Sequence, residues 1–298
     1  MKVCILLSTY NGARYIEDQI ESLLAQKGVE VEILVRDDGS SDNTCDILDA
    51  MKKQGKLRWY TGPNLGFAQS FIDLVLQAPE CDYYAFCDQD DIWLPDKLNR
   101  AVVALEKIES SVKLYCSNVY YYKDGKTYGG IHKEIPYFDK YTCLLRNIAP
   151  GCSMVFNNSL KQLISSAPPK KMIAHDFWVF QLAVLMGEVV YDFQPSMLYR
   201  QHENNQIGQK SSRREIWTRR INHLSSSNHK HDREEQAKEL LECHSKNMTD
   251  CTRSIVSKVA DYRFSFRKKM SIMFDKRYTM GSTKADLYLR TRILFSKL

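Results

Sequence analysis

Three carboxylates, Asp88, Asp90 and Asp91, stand within four residues of one another in YYAFCDQDDIWLPDKL, where a run of strand-like residues ends. Carboxylates that close repel one another and are costly to take out of water. Two outcomes are chemically sensible. One is a solvated acidic turn, since turns favour Asp. The other is a cation site: the Asp88-x-Asp90 spacing lets two carboxylates approach one hard divalent ion, and Mg2+ or Mn2+ held by few protein ligands keeps positions open for the phosphate oxygens of a nucleotide. Asp37 and Asp38, in VRDDGSSDNT, could accept hydrogen bonds from a nucleobase N–H or from ribose hydroxyls. The same letters also spell a plain turn at Asp38-Gly39-Ser40 and a helix cap at Asp42. Asp176, in the first turn of the apolar segment AHDFWVFQLAVLMG, sits where a helix dipole favours negative charge, which suits a cap and a general base equally. His202 in YRQH could ligate a metal, donate to phosphate or serve only structure.

These residues need elements to position them. VCILL (Val3–Leu7) is a continuous apolar run of the kind a fully buried strand shows. Residues 13–28 place Ile16, Ile20, Leu23 and Leu24 on one helical stripe, with Gly28 as a stop. Strand-like runs recur at 29–35, 57–60 and 82–87, separated by helical patterns at 40–53 and 66–78. This alternation predicts an α/β fold with a mainly parallel sheet and helices on both faces. Ligands of such sheets bind beyond the carboxyl ends of the strands. The segments that follow the four strands, Ser8–Gly12, Arg36–Ser40, Gly62–Gly66 and Asp88–Asp91, therefore converge on one edge. Further on, 114–122 and 152–156 are strand-like and 174–187 forms a buried helix.

At 298 residues with 44% hydrophobic and 26% charged side chains, the chain has the composition of a globular protein. Its nine cysteines are odd in number, scattered and without a C-x-x-C pair, which excludes a disulfide framework and a zinc site of that kind. Neither glycine-rich phosphate-binding pattern is present, nor the G-x-S-x-G elbow of a serine hydrolase. No apolar run has the length of a membrane-spanning helix. The opening MKVCILLSTYNG is expected to be a first strand and not a leader, which places the protein in the cytoplasm. Charge is uneven: residues 1–205 carry 21 Lys and Arg against 26 Asp and Glu, whereas residues 206–298 carry 21 against 10. Two parts follow: 1–205 as the α/β domain, and 206–298 as a basic, mainly helical region drawn to anionic surfaces.

Seven segments in order, STYNGARYIEDQIESLLAQ, VRDDGSSDNT, NLGFAQSF, FCDQDDIWLPDKL, NIAPGCSMVFN, HDFW and YRQHENNQIG, resemble the family 2 glycosyltransferases, most closely their rhamnosyltransferase-like branch. The resemblance spans about two-thirds of the chain. It implies a GT-A fold, a nucleotide-sugar donor, a divalent cation and inversion at the anomeric carbon. Carried over by position, Thr9, Tyr10 and Asn11 would surround the base and ribose, Asp37 would bind the base with Asp38 beside it, and Asn64 and Gly66 would line the donor site. Asp88 would face the donor, with Asp90 and Asp88 holding the metal and Asp91 behind them. Asp176 matches the catalytic base and His202 a position near the diphosphate. The Q-x-x-R-W sequence of processive members is absent, which favours transfer of one sugar. The likeness leans toward dTDP-rhamnose, with UDP-galactose and UDP-glucose as alternatives.

A saccharide acceptor that is lipid-linked, as in cell-surface polysaccharide synthesis, would place the enzyme peripherally at the inner face of the plasma membrane. IWTRRINHL and YRFSFRKKMSIMF interleave cations with apolar residues as interfacial helices do. No nucleic-acid recognition motif accompanies the basic charge, so no nucleic-acid partner is expected. Two remote alternatives are a non-catalytic sugar-nucleotide-binding scaffold and a haloacid-dehalogenase-type phosphatase. The phosphatase expects Thr or Val where this chain has Ile92.

Overall fold

The run Val3–Leu7 has no exposed residue, so layers must cover it on both sides. In the computed structural model, which describes residues 1–202 and 232–298, that run is the middle of β1 (Lys2–Thr9), near the centre of a seven-stranded sheet. The first half of the chain alternates as its apolar pattern predicts. After β1 come α1 (Ile16–Leu24), β2 (Glu30–Asp37), α2 (Thr44–Lys53), β3 (Arg58–Thr61), α3 (Phe67–Gln77) and β4 (Tyr83–Cys87). Strand β1 pairs in parallel with β2 and with β4, and β2 in parallel with β3.

The sheet is completed by β6 (Lys113–Ser117), β9 (Val155–Asn157) and β10 (Glu188–Asp192), in the order β10-β6-β9-β4-β1-β2-β3. Only β9 runs antiparallel to its neighbours, β4 and β6. Val3, Ile5 and Leu7 pack under α1, α2 and α4 (Lys97–Glu106) on one face. On the other face α3 lies with α5 (Asn158–Ser166) and α6 (His175–Met186), where the rings of Phe71, Phe86 and Phe156 meet.

A second, four-stranded sheet was not anticipated. It pairs β5 (Ile92–Trp93), β11 (Met197–Arg200), β7 (Tyr120–Lys123) and β8 (Lys126–Gly130) in that order. Its strands are two to five residues long and its key partners are far apart in sequence, Trp93 with Met197 and Leu198 with Tyr120. The expected single strand at 114–122 is divided between the two sheets. It breaks at Asn118, whose side chain holds the backbone of Val119 and His132. The expected strand at 152–156 begins instead as a 3-10 turn, Gly151–Ser153, and pairs only from Val155.

The chain divides into two compact units. The first comprises Met1–Pro136, Ile148–Pro168 and Ala174–Arg200. The second gathers Gln201 onward together with Tyr137–Asn147 and Pro169–Ile173. Among the described residues its helices are α7 (Asp232–His244), α8 (Asp250–Asp261), α9 (Phe266–Phe274) and α10 (Thr283–Leu294). The two inserted segments are bound into it: Lys170 N–H donates to Glu239 (2.6 Å), Ile173 N–H to Gln236 (2.6 Å), and Arg233 to the Leu145 carbonyl (2.6 Å). No helix among the described residues is long and apolar enough to cross a membrane.

Candidate active site

The registers Thr9–Asp37, Asp37–Thr61 and Leu7–Cys87 bring four strand ends to one edge of the large sheet. Their loops are then tied together by side chains. Gln89 accepts from the Thr9 hydroxyl (2.6 Å) and from Tyr10 N–H (2.8 Å), joining the loops after β1 and β4. Asn11 adopts a left-handed conformation (φ 50°), which Asn tolerates better than most residues. From there its Oδ1 accepts from Ser41 N–H (2.8 Å), and its own N–H donates to Ser40 Oγ (2.8 Å), joining the loops after β1 and β2. Tyr10 and Asn64 remain exposed at this edge, with Asn64 accepting from Gly66 N–H (3.0 Å). Gly66, at φ 75°, makes the bend that opens α3.

Asp37 and Asp38 are both buried, and both are well supplied with donors. Asp37 accepts from Gly39 N–H (3.0 Å), Ser40 N–H (2.8 Å) and Ser40 Oγ (2.5 Å), which shapes the turn after β2. Asp38 faces Arg36, whose buried guanidinium also donates to Asp73 (2.8 Å), Ser70 (3.1 Å) and the Pro63 carbonyl (2.9 Å). Ser70 Oγ completes the network by donating to Asp38.

The cluster after β4 is built differently. Asp91 is buried and receives one backbone donor, Arg200 N–H (3.0 Å). Burial pushes its carboxyl well above the usual range, and the charges of Asp90 and Asp88 push it further. Burial raises Asp88 to about 7, followed by the charge of Asp90 and, more weakly, that of Asp176; a hydrogen bond with Cys152 opposes the rise. Oxygen atoms of Asp88 and Asp91 and the Cys152 sulfur all lie within 4.8 Å of one another, a cluster that could hold a metal ion. Asp90, half-buried, stands between the two acids in sequence.

Asp176 lies in the first turn of α6, with Phe177 N–H donating to its Oδ1 (2.6 Å). Its charge reaches Asp88, so the candidate base and the acid cluster share one electrostatic environment. The structure thus brings together Thr9, Tyr10, Asn11, Asp37, Asp38, Asn64, Gly66, Asp88, Asp90 and Asp176 within the first unit. His202 is half-buried and belongs to the second unit. The rest of YRQHENNQIG, from 203 onward, lies outside the described residues.

The donor set fits a divalent cation. Two carboxylates held above their usual range by burial and mutual repulsion gain most from an added positive charge. Two residues of this region carried no role in the sequence. Cys152 was legible only as part of NIAPGCSMVFN, because nothing local places its sulfur beside Asp88. Arg200 donates from Nε to the Asp90 carbonyl (2.8 Å) and stacks over Tyr15 (4.8 Å), clamping the acidic loop from β11. Its distance of 109 positions from Asp91 hides it from any local pattern.

Comparison with known proteins identifies the family and the fold. Residues 4–163 match the model of glycosyl transferase family 2. The dTDP-rhamnosyl transferase RfbG of Shigella flexneri is 31% identical over 218 residues, 68% of this chain and 73% of that protein. An uncharacterised glycosyltransferase of Rickettsia typhi is 24% identical over 230 residues, 72% of this chain and 70% of the relative. Among solved structures, S. aureus TarS 1–349 in complex with UDP-GlcNAc superposes with a TM-score of 0.59 at 17% identity, over 99% of this chain and 87% of that one. A mannosyltransferase from Pyrobaculum calidifontis in complex with GDP-Man and Mn2+ gives 0.53 at 13% identity, over 99% and 86%. These likenesses fix the fold as GT-A. With the family model covering more than half of its length, and a named transferase at this identity, the chain belongs to glycosyl transferase family 2 and is a glycosyltransferase.

Proposed function

We propose that the protein is an inverting, metal-dependent transferase that moves a single rhamnose from dTDP-rhamnose to a saccharide acceptor, lipid-linked, in cell-surface polysaccharide synthesis. The observation that carries the metal-dependent part is the cluster of Asp88, Asp91 and Cys152 after β4, donor-poor, held above the usual carboxylate range and within electrostatic reach of Asp176. The rhamnosyl part draws on the named relative from Shigella flexneri.

Asp90 and Asp88 would hold Mg2+ or Mn2+, with Asp91 and Cys152 behind them. Such an ion, when bound, neutralises charge on a diphosphate leaving group. The base and ribose are placed by Thr9, Tyr10, Asn11 and Asp37, with Asp38 fixing the floor through Arg36, and Asn64 and Gly66 line the donor. His202 serves near the diphosphate. Asp176 takes the proton of an acceptor hydroxyl. The acceptor oxygen then bonds to the anomeric carbon from the face opposite the diphosphate. The bond to the phosphate oxygen breaks and its electron pair leaves with the nucleoside diphosphate, which inverts the centre.

The second unit supplies a surface for an anionic inner leaflet. Phe264, Phe266, Phe274 and Phe295 are 72%, 78%, 77% and 65% exposed, far more than a solvated unit needs. Helices α9 and α10 are joined by Lys269 to Ser296 (2.9 Å) and by Arg290 to the Asp275 carbonyl (3.1 Å). These bonds hold the two helices side by side. Residues 253–298 hold 12 Lys and Arg against three Asp, a collar suited to anionic headgroups. The segment IWTRRINHL, also expected at this surface, lies outside the described residues.

A panel of dTDP-rhamnose, UDP-galactose and UDP-glucose, assayed with Mn2+ and with chelator, tests the donor. Turnover of dTDP-rhamnose that stops on chelation is expected, and preference for another donor would overturn the rhamnosyl assignment. Co-sedimentation of the full chain with anionic vesicles should weaken when Phe266, Phe274 and Phe295 are changed to Ser. Unchanged or salt-insensitive binding would contradict the membrane assignment.

A further inference from the structure

The 3-10 turn Gly151–Ser153 supplies Cys152 to the acid cluster, and its first residue, which has no role in the chemistry above, lies against α6. Gly151 lies against α6 so closely that a Cβ there would fall 2.5 Å from His175 Nε2 and 3.3 Å from the Cβ of Asp176. Contacts of 2.5 Å are not found between real atoms of this kind, so only glycine lets the turn approach the candidate base. One residue on, the Cys152 sulfur sits with the carboxylates of Asp88 and Asp91. The turn therefore spans from the base to the acid cluster within two residues.

Both of its sides are fixed. From the α6 side, His175 is buried and stacked on Phe71 (centroids 3.9 Å apart, planes at 24°), with Phe86 edge-on at 4.9 Å. Neither ring nitrogen has a hydrogen-bond partner among the described residues, and burial lowers its pKa to about 3, so it stands as a neutral spacer. A close-packed ring of that kind cannot yield without disturbing α3 and β4. From the other side, Lys97 is wholly buried and donates to the Cys152 carbonyl (2.8 Å) and the Ser196 hydroxyl (3.4 Å). Its ammonium also lies over the Trp93 ring at 4.4 Å. No carboxylate lies within ion-pairing distance of it among the described residues. A buried ammonium whose shortest bond goes to this turn's carbonyl is costly unless that placement matters.

We propose that Gly151 and Lys97 are positioning residues: through the Gly151–Ser153 turn they hold Asp176 in register with the Asp88–Asp91 cluster, without touching either substrate. The proposal rests on the assignment of Asp176 as base. It predicts a particular split in kinetics, because a misplaced base slows turnover while leaving the nucleotide's own contacts in place.

The test uses the full chain with dTDP and Mn2+ as the binding probe and transfer as the activity. Gly151→Ala should lower kcat by about 100-fold, the scale of an ångström-sized displacement, while the dTDP affinity stays within about threefold. Lys97→Met removes the ammonium at nearly constant volume, so it tests the same element should the alanine variant not fold. It should lower kcat by about tenfold with the donor KM little changed. The double variant should lose less than the product of the single losses, since both act through one turn. Near-normal turnover in either variant, loss of nucleotide affinity in parallel with kcat, or multiplicative losses would each overturn the proposal. Asp176→Ala separates the two levels. If it turns over normally, the base assignment fails and this proposal with it. If it is inactive beside an active Gly151→Ala variant, only the positioning role falls.

Discussion

Two pairs of acids stand at the ends of strands that flank β1, and they have opposite surroundings. Asp37 and Asp38, after β2, are met by two backbone N–H groups, two serine hydroxyls and the Arg36 guanidinium. Asp88 and Asp91, after β4, share one backbone donor and a thiol, and repel each other. A buried carboxylate with its donors supplied is held rigidly in place, whereas one left short of positive charge is poised to receive some. The same residue type, at equivalent places in the fold, thus divides between rigid placement and readiness for a cation. The division is made by neighbours that lie tens of positions away.

Variants can break this contrast. The largest effects should fall on turnover around the poor pair: Asp90→Ala, between its two acids in sequence, and Asp176→Ala, whose charge reaches Asp88, are each expected to lower kcat by about 100-fold or more while the fold persists, as shown by an unchanged circular dichroism spectrum. Next comes stability at the rich pair. Arg36→Met strands the buried Asp38 and takes one partner from the half-buried Asp73, and should cost about 3–5 kcal/mol in denaturant unfolding. A loss under about 1 kcal/mol would show that the network contributes little. Asp91→Asn should go the other way, leaving the chain without divalent ions as stable as the wild type or more so, because it removes a repelling charge.

The smallest effect is on pH. Asp88 is raised from 3.8 to about 7. Between those values the unfolded chain releases a proton that the folded chain keeps, so the group favours folding at low pH and loses that contribution as pH rises through about 7. Without divalent ions, Tm should therefore fall from pH 5 to pH 8, and Asp88→Asn should flatten the slope. A Tm that climbs over that range in wild type and variant alike would count against the raised value.

Much of the first half could be read from the sequence. Val3–Leu7 and the helical stripes Ile16, Ile20, Leu23 and Ile47, Leu48, Met51 specify elements by local period, and the four loops follow at one edge. Leu24, placed on that stripe, is exposed instead, as the helix ends there. What was hidden depends on distant pairing. Arg200 reaches Asp90 and Asp91 only because β11 joins β5, and Cys152 reaches Asp88 only because the chain turns at Gly151 before β9 begins. Short strands of the second sheet carry too few residues to show a period. The partners of Asp37 and Asp38 were equally invisible, since a turn and a ligand site use the same letters.

Calorimetric titration of dTDP into the full chain, with and without Mn2+, tests the central claim most directly when run on wild type and Asp90→Ala. The account predicts that Mn2+ tightens binding to the wild type and that the variant binds dTDP weakly and alike in both conditions. Binding by the wild type that is indifferent to divalent ions, or an Asp90→Ala variant that keeps the full Mn2+ effect, would contradict it.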